Sequence, residues 1–339
     1  MNRRTGPRRA VAGRSDRRAQ RALDAYCATR GWPASEFHRA SEGRTNAVFL
    51  GESLGVVVAV AGSGISANCV AARIQLARAI SKRAPFVRPL PDAEQPLATD
   101  GGVVSVWEYV PTVPALDLEV IGAAVARFHA VDGSTVETGT SALGLARVMR
   151  DTAEWIDDLA HRRLLRPADA RVLSIVDNRL LSSLGPPDTG AKSLVHGDLH
   201  WPNVLVTNES AVLCDTDEIG LGSPEYDVAY LLDSDRQHVS QPDLDAFASG
   251  YGSPVPEIGA RRMLVQRSHL TFTLRAAERA TSVRGRYWVD QWMAGWRRIV
   301  KDDGAILTPP REHSRLEQLG VVVRGPLERR VLGLPESAG

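Results

Sequence analysis

The stretch His196-Gly-Asp-Leu-His-Trp-Pro-Asn203, together with Val212-Leu-Cys-Asp-Thr-Asp217, is the most informative part of this 339-residue chain. Four residues separate Asp198 from Asn203, and Asp215 follows twelve residues after Asn203, at the end of a short apolar run. Such a set supplies a carboxylate that can deprotonate a hydroxyl and oxygen ligands that can hold Mg²⁺ against phosphates. The spacing therefore indicates a phosphoryl-transfer arrangement.

The segment between these residues has the pattern of a tight hairpin. Residues 204–206 and 211–214 are apolar runs of strand type, and Asn208-Glu-Ser210 is a polar turn between them. We expect this hairpin to carry polar residues at both of its ends. Helical periodicity dominates the rest of the second half, where the predicted helices span 116–130, 147–160, 167–183, 224–234, 242–250, 258–280 and 287–300.

The first half has a different pattern, in which short strands surround one helix. Ser15 is expected to cap a leading helix that ends at Arg30. The strands and the helix that follow predict a small α+β unit that ends near Val110. The predicted strands are 46–50, 55–60 and 103–109, and the predicted helix is 66–81.

The loop H-G-D-x-x-x-x-N resembles that of the aminoglycoside phosphotransferase family, small-molecule kinases with a protein-kinase-like fold. Val212–Asp217 is similar to the family's apolar strand that ends in a metal-binding Asp. Gly222-Ser-Pro-Glu-Tyr-Asp227 is similar to its G-x-P-x-x-D segment. Weaker matches extend the resemblance over about residues 36–300, and they are Gly43-Arg-Thr-Asn46, Trp107-Glu-Tyr-Val110 and Phe128-His129.

This resemblance implies an α+β, bilobal protein-kinase-like fold. The N-lobe would be a small antiparallel sheet with its helix, and the C-lobe would be larger and mainly helical. A basic arm with the leading helix would precede the lobes, and a tail would follow them. The expected boundaries are 1–35 for the arm and helix, 36–110 for the N-lobe, 111–308 for the C-lobe and 309–339 for the tail.

The resemblance also implies roles for individual residues. Asp198 would be the catalytic base, Asn203 and Asp215 would bind Mg²⁺, and ATP or GTP would be the co-substrate. His196 and Asp227 would support the loop, while Asp217 could add charge near the metal or be a solvated loop carboxylate. The nucleotide would contact a phosphate-covering turn and the segment between the lobes, through Arg44, Thr45, Asn46, Glu108 and Val110.

The third strand departs from the family pattern. It should carry a Lys or Arg that grips the nucleotide phosphates, but Ala59 occupies that place, and the following helix lacks the Glu that would pair with such a cation. Arg44 and Arg73 are candidate replacements because Arg can bind phosphate through two parallel hydrogen bonds, although both could equally be ordinary surface arginines. The alternative is a kinase-fold protein that binds a nucleotide or another ligand with weak or no catalysis.

The acceptor expected from the resemblance is an aminoglycoside or a related antibiotic. A sugar, an amino alcohol or a cyclic-peptide antibiotic remains an alternative. Asp151, Glu154 and Asp158 share a helical face that could bind amines, but Arg162 lies four residues beyond Asp158, which favours a solvated surface. Trp201 could stack on a sugar ring or fill the lobe.

Composition limits the class of protein further. A content of 43% apolar and 24% charged residues is typical of a globular chain. The longest apolar stretch, Leu54–Ala61, is much shorter than the roughly 20 residues of a bilayer span. No apolar signal segment follows the Arg-rich start, and the three scattered cysteines favour a reducing compartment.

We therefore expect a cytoplasmic protein whose partners are a nucleoside triphosphate and a small hydroxylated molecule, with no membrane contact. The first 21 residues include eight arginines. This basic arm has no interleaved aromatic residues, so a solvated arm is favoured over nucleic-acid binding.

Overall fold

The structure is a computed structural model that describes residues 7–42, 46–62, 64–113, 117–133, 146–188, 193–233, 239–280 and 283–301. These residues divide into two compact units. The first unit holds those up to Thr112 together with Val212–Asp217, and the second holds the others up to Ala211 and those from Glu218 onward. The predicted tail, 309–339, lies outside the described residues.

The described elements confirm the predicted α+β class, with a five-stranded antiparallel sheet in the first unit and a mainly helical second unit. In chain order they are α1 (Pro7–Arg30), β1 (His38–Glu42), β2 (Asn46–Gly51), β3 (Val56–Ala61), α2 (Ala67–Ser81), β4 (Leu97–Thr99), β5 (Gly102–Glu108), α3 (Leu118–His129), α4 (Thr152–His161), α5 (Pro167–Leu184), β6 (Leu194–Val195), β7 (Val204–Val206), β8 (Ala211–Leu213), β9 (Gly220–Leu221), α6 (Glu225–Asp233), α7 (Gln241–Tyr251), α8 (Ile258–Glu278) and α9 (Val283–Lys301).

The sheet of the first unit has the strand order β1-β2-β3-β5-β4, and all neighbours are antiparallel. Valines dominate β3 and β5, and β-branched side chains fit a pleated, half-buried surface. Val58 lies opposite Val106, and both are fully buried. Leu23 and Tyr26 of α1 belong to the same hydrophobic core, so α1 covers this face of the sheet.

Helix α1 begins at Pro7, so the predicted start at Ser15 is wrong. Residues 7–14 consist largely of Arg and Ala, which are strong helix formers, and Pro is favoured at the first helical position because its fixed φ suits a helix. The helix lies against the turn between β4 and β5, where a Cβ on Gly101 would collide with Arg18 O. Glycine at this position thus permits the close approach of α1.

Helix α2 covers the other face of the sheet. Ser66 caps the helix by accepting a hydrogen bond from Cys69 N at 3.2 Å. Val70 and Ile74 are buried and pack with Ala61, while Trp107 lies at the edge of this cluster. The predicted helix over 66–81 is confirmed.

Four short strands have no signal in the sequence pattern. Strand β1 reads His-Arg-Ala-Ser-Glu and lacks apolar alternation, and β4, β6 and β9 have only two or three residues each. Two predicted helices also begin elsewhere. Helix α4 begins after its cap Asp151 rather than at 147, and α9 begins at Val283 rather than at 287.

The second unit has two packed groups of helices. Side chains of α4, α5, α8 and α9 form one large core that includes Leu173, Leu274 and Trp296. Helices α3 and α7 approach each other closely because Gly122 and Gly250 present only backbone at the contact. No helix within the described residues is long and apolar enough to cross a membrane.

Candidate functional site

The loop after β6 is held by one buried carboxylate. Asp227, on α6, accepts hydrogen bonds from His196 N at 2.5 Å and from Gly197 N at 2.9 Å. Its side chain is almost fully buried. Burial raises the pKa of Asp227, but the hydrogen bonds and electrostatic interactions that His129 and His196 make with the carboxylate outweigh burial and lower this pKa. The residue is therefore a carboxylate that fixes the backbone of the predicted catalytic loop.

His129 and Tyr251 hold the Asp227 side chain in place. His129 Nε2 lies 3.0 Å from Asp227 Oδ2, and His129 Nδ1 lies 2.9 Å from the Tyr251 hydroxyl. His129 is buried on α3, and Tyr251 is the last residue of α7. The close packing of α3 and α7 thus positions the side chain that orients the loop.

Gly197 gives the loop its sharp turn. Its φ is +74°, in the left-handed region that other residues rarely adopt. A Cβ at this position would also meet Glu218 O at 2.5 Å. The Glu218 side chain is buried and forms an ion pair with Arg275 of α8. Both the backbone angle and the close contact require glycine.

Asp198 and Asn203 lie together in this loop. Asn203 Nδ2 donates a hydrogen bond to Asp198 O at 2.9 Å, which orients the amide and leaves its oxygen as the atom that can ligate a cation. The Asp198 side chain is 27% exposed, and His200 Nε2 lies 3.8 Å from its Oδ1. A hydroxyl group from solution can therefore reach the Asp198 carboxylate.

A cluster of aromatic rings adjoins the loop, and the sequence pattern does not predict it. The His200 ring lies edge-on to Tyr230 with 6.5 Å between centroids, and Tyr230 contacts His269 and Phe272 at 5.8 and 5.6 Å. His269 and Phe272 are three residues apart on α8, so helical spacing links these two. Only packing brings α6 and the loop to them. Burial lowers the pKa of His269 to about 3, so this imidazole is neutral at pH 7.

The first unit holds the other predicted metal ligand. Asp215 follows β8 and has a φ of +76°, a conformation that is uncommon for residues other than Gly. Strained backbone of this kind clusters at functional sites. Strand β8 is anchored beside it, because Leu213 N donates to Pro85 O and Val87 N donates to Leu213 O, both at 2.9 Å.

Two further predicted residues meet at Asp215. Asp217 N donates a hydrogen bond to Asp215 Oδ1 at 2.9 Å. The guanidinium of Arg73, on α2, lies 2.9 Å from Asp217 Oδ1. Of the two candidate cations, Arg73 is thus an ion-paired residue beside the predicted metal ligand, whereas Arg44 lies outside the described residues.

The remaining nucleotide-contact predictions concern backbone segments. Thr45 lies outside the described residues, and Asn46 is the first residue of β2. Glu108 ends β5, and its N–H donates to Arg88 O at 2.9 Å. The next N–H, of Tyr109, donates to Gly55 O at 2.9 Å. An adenine contact at Glu108–Val110 would therefore use the other backbone groups of this segment.

Each of the two units offers an oxygen ligand of the kind that Mg²⁺ prefers. Asp215 offers a carboxylate and Asn203 an amide oxygen, the hard ligands that this ion prefers. Within the described residues, no group of three or more His, Cys, Asp or Glu side chains gathers into a metal cage. Mg²⁺ is usually bound by one or two protein oxygens together with substrate phosphates and water, so the residues present fit it.

The acidic face of α4 has structural roles. Asp151 caps the helix and accepts from Glu154 N at 3.0 Å, and Asp158 pairs with Arg162 at 2.8 Å on the exposed surface. The prediction of a solvated helix surface is confirmed for this pair. Arginines of α8 and α9 likewise pair with acids of the second unit, in Arg261–Asp233, Arg267–Asp177, Arg275–Glu218 and Arg297–Asp169.

The two units thus bring together different parts of the predicted site. The second unit unites Asp198 with Asn203, and the first unites Asp215 with Asp217 and Arg73. The turn predicted between β7 and β8 is confirmed, since Thr207 N donates to Ser210 O at 2.8 Å. This turn links the two groups of residues along the chain.

Comparisons with known proteins show the family and the fold of the chain. The profile of a family described as "Phosphotransferase enzyme family" matches residues 36–264. No curated protein sequence matches the chain. Among solved structures, the fold is similar to that of an amicoumacin kinase in complex with AMP-PNP and Ca²⁺, with a TM-score of 0.55, 15% identity, and coverage of 83% of this chain and 92% of that one.

Two further structures share the fold. A choline/ethanolamine kinase family protein from Mesorhizobium loti has a TM-score of 0.51 at 17% identity, over 88% of this chain and 92% of that one. An aminoglycoside phosphotransferase from Streptomyces rimosus, in complex with ADP and streptomycin, has a TM-score of 0.50 at 17% identity, over 69% of this chain and 92% of that one. At these identities the likeness shows a kinase-like fold alone.

Proposed function

The chain belongs to the phosphotransferase enzyme family, and on that premise we propose that it moves the γ-phosphoryl group of ATP or GTP to a hydroxyl of a small molecule. Membership makes it a small-molecule kinase. The single observation that supports the residue assignment is the hydrogen bonding of this loop. Asp227 binds the backbone just before Asp198, and Asn203 Nδ2 donates to Asp198 O.

Asp198 acts as the base of the reaction. Its carboxylate accepts a hydrogen bond from the acceptor hydroxyl and then takes the proton as the oxygen attacks the γ-phosphorus. The bond between the γ-phosphorus and the bridging oxygen breaks, and the nucleoside diphosphate leaves. Asn203 and Asp215 would hold Mg²⁺, which supplies positive charge that neutralises the phosphate oxygens. No covalent enzyme intermediate is required.

The nucleotide is held by the first unit in this proposal. Asn46, with Arg44 and Thr45, covers the phosphates, and the backbone of Glu108–Val110 contacts the base. The phosphate cation is Arg73, which the helix α2 supplies in place of the residue missing at Ala59. Support comes from the position of Arg73 beside the Asp215–Asp217 segment.

The acceptor we propose first is an aminoglycoside or a related antibiotic. Two of the structures with a similar fold are described as an amicoumacin kinase and as an aminoglycoside phosphotransferase with streptomycin. A sugar, an amino alcohol or a cyclic-peptide antibiotic is the alternative class. We place the reaction in the cytoplasm.

The test is phosphotransfer by the purified protein with Mg²⁺ and ATP or GTP, against a panel of aminoglycosides, other hydroxylated antibiotics, sugars and amino alcohols. Asp198→Asn should lower turnover by at least about a hundredfold, because general-base catalysis contributes on this scale. Its affinity for nucleotide should stay within about twofold. Asp158→Asn, which alters an exposed Asp that pairs with Arg162, is the matched control and should retain full turnover.

A second candidate function follows from Ala59. If the strand cation is essential, the protein is a kinase-fold nucleotide- or ligand-binding protein with weak or no catalysis. In that case nucleotide would bind, the whole acceptor panel would remain unmodified, and Asp198→Asn would behave as the wild type. Turnover that depends on Asp198 excludes this candidate.

A further inference from the structure

Helix α2 carries an ion pair whose charges are opposite to those expected from the family pattern. In that pattern a strand cation pairs with a carboxylate on the helix. Here α2 contains no acidic residue, and Arg73 of α2 pairs instead with Asp217 at 2.9 Å. The two side chains are only 17% and 7% exposed. A pair so well shielded from solvent holds its geometry better than a surface pair.

The strand position that lacks the cation carries a small side chain, Ala59. In the sheet register Ala59 lies between Val48 and Ser105, and the Ser105 hydroxyl accepts a hydrogen bond from Trp107 Nε1 at 3.0 Å. Trp107 also packs at the edge of the cluster formed by Ile74 and its neighbours. Trp107 therefore lies on the α2 side of the sheet, where Ile74 docks the helix, and Arg73 precedes Ile74 in the sequence.

The pair is connected to the predicted metal ligand. Asp217 uses its backbone N–H to bind Asp215 Oδ1 and its side chain to bind Arg73. Two carboxylates two residues apart repel each other, and the guanidinium offsets one of these charges. Through Asp217, the arrangement connects a fixed positive charge to Asp215, which would hold Mg²⁺.

We propose that Arg73 and Asp217 together replace the missing strand cation and its helix carboxylate. Arg73 provides the positive charge for the nucleotide phosphates, and Asp217 is a positioning residue that holds Arg73 beside Asp215. This inference rests on the proposed function, since it concerns the nucleotide site of that reaction.

The experiment measures ADP affinity by calorimetry, once with Mg²⁺ and once with EDTA. Arg73→Ala should weaken binding at least tenfold under both conditions. Arg83→Ala is the matched control, because Arg83 is an exposed arginine two residues after the same helix, and the affinity of this variant should not change. Introducing a cation on the strand by Ala59→Lys should restore affinity in the Arg73→Ala background.

The role of Asp217 is tested by whether Asp217→Asn strengthens or weakens ADP binding. Simple electrostatics predicts that Asp217→Asn tightens binding of an anionic ligand, since a negative charge is removed. A positioning role predicts weaker binding, rescue by Asp217→Glu, and a double variant with Arg73→Ala that binds no more weakly than Arg73→Ala alone. Tighter binding by Asp217→Asn, or additive losses in the double variant, would overturn the positioning role.

The outcomes separate this inference from the proposed function. A wild type that binds ADP and transfers phosphate while Arg73→Ala binds equally well contradicts the inference alone. A wild type that binds no nucleotide contradicts the proposed function, and the inference with it. Melting temperatures of the ligand-free variants identify folding defects, and Arg73→Gln, which keeps the length of the side chain, replaces Arg73→Ala if the latter does not fold.

Discussion

At the scale of single residues, the backbone of Asp215 is the feature that ties structure to function most directly. Its φ of +76° costs a non-glycine residue about 1–3 kcal/mol, and such strain persists where the surroundings hold it. Asn and Asp tolerate this region better than other residues because their short polar side chains can bind the local backbone. Asp215 does so by accepting a hydrogen bond from Asp217 N.

Asp215→Asn and Asp215→Val should therefore have different effects on stability. Asn keeps both the left-handed preference and the acceptor oxygen, so its free energy of unfolding should stay within about 0.5 kcal/mol of the wild type. Val is β-branched and should lose about 1–3 kcal/mol. Urea unfolding measures both changes.

Both variants should weaken the Mg²⁺-dependent part of nucleotide binding, since each loses the carboxylate charge, and the loss should be larger for Val, which has no oxygen ligand. Equal stability of the Asn and Val variants would show that the backbone angle carries no strain. Full Mg²⁺ dependence in Asp215→Asn would remove Asp215 from the metal site.

At the scale of elements, three helices of the second unit meet at one buried ion pair. Arg267 of α8 binds Asp177 of α5 at 2.7 Å, and each side chain is 2% exposed. Arg267 Nη2 also donates to Arg150 O at 2.9 Å, and Thr152 at the start of α4 donates to Asp177. The network orients α4, α5 and α8 through polar contacts buried among these helices.

Asp177→Ala should lower the free energy of unfolding by about 3–5 kcal/mol, because it leaves the Arg267 charge buried without its partner. The double variant Arg267→Met with Asp177→Leu should lose much less, since it removes both charges. Asp158→Ala breaks the exposed pair with Arg162 and should cost less than about 1 kcal/mol. Denaturant unfolding distinguishes these cases, and a double variant as unstable as the sum of its parts would contradict the argument.

At the scale of the whole molecule, stability should fall in acid because buried groups resist protonation. Burial lowers the pKa of His269 from 6.5 to about 3. Its Nδ1 has no hydrogen-bond partner among the described residues. Between pH 6.5 and 3 the unfolded chain binds a proton at this residue and the folded protein does not. The free energy of unfolding therefore decreases progressively as the pH falls through this range. Asp227, whose pKa is also lowered, adds a further decrease at the acidic end of the range.

His269→Phe should flatten this dependence. The wild type should lose on the order of 1 kcal/mol per pH unit through His269 below pH 6.5, and the variant should lack this contribution. Chemical denaturation at pH 7.5, 6, 5 and 4 gives the slope for each protein. Parallel slopes for the two proteins would contradict the assignment.

Sequence patterns were sufficient where the signal is local. The loop with Asp198 and Asn203, the strands β2, β3 and β5, and most helices follow from spacing, apolar periodicity and capping residues. Short or polar elements are not predicted by these patterns, because a two-residue strand such as β6 or β9 is too short to show an alternation of apolar and polar residues. The predicted start of α1 is misplaced because Pro7 suits the first helical position and the Arg and Ala residues after it favour a helix.

The sequence by itself determined the family, the fold class and which residues carry the phosphoryl-transfer pattern, because these depend on residue type at fixed spacing. Only the tertiary structure decided which side chains share a site. Arg73 and Asp217 are far apart in the chain, and so are Tyr230 and His269. Their contacts form when a helix docks on its neighbours. The free energy of that packing depends on two elements in contact, so the sequence of either segment alone does not reveal it.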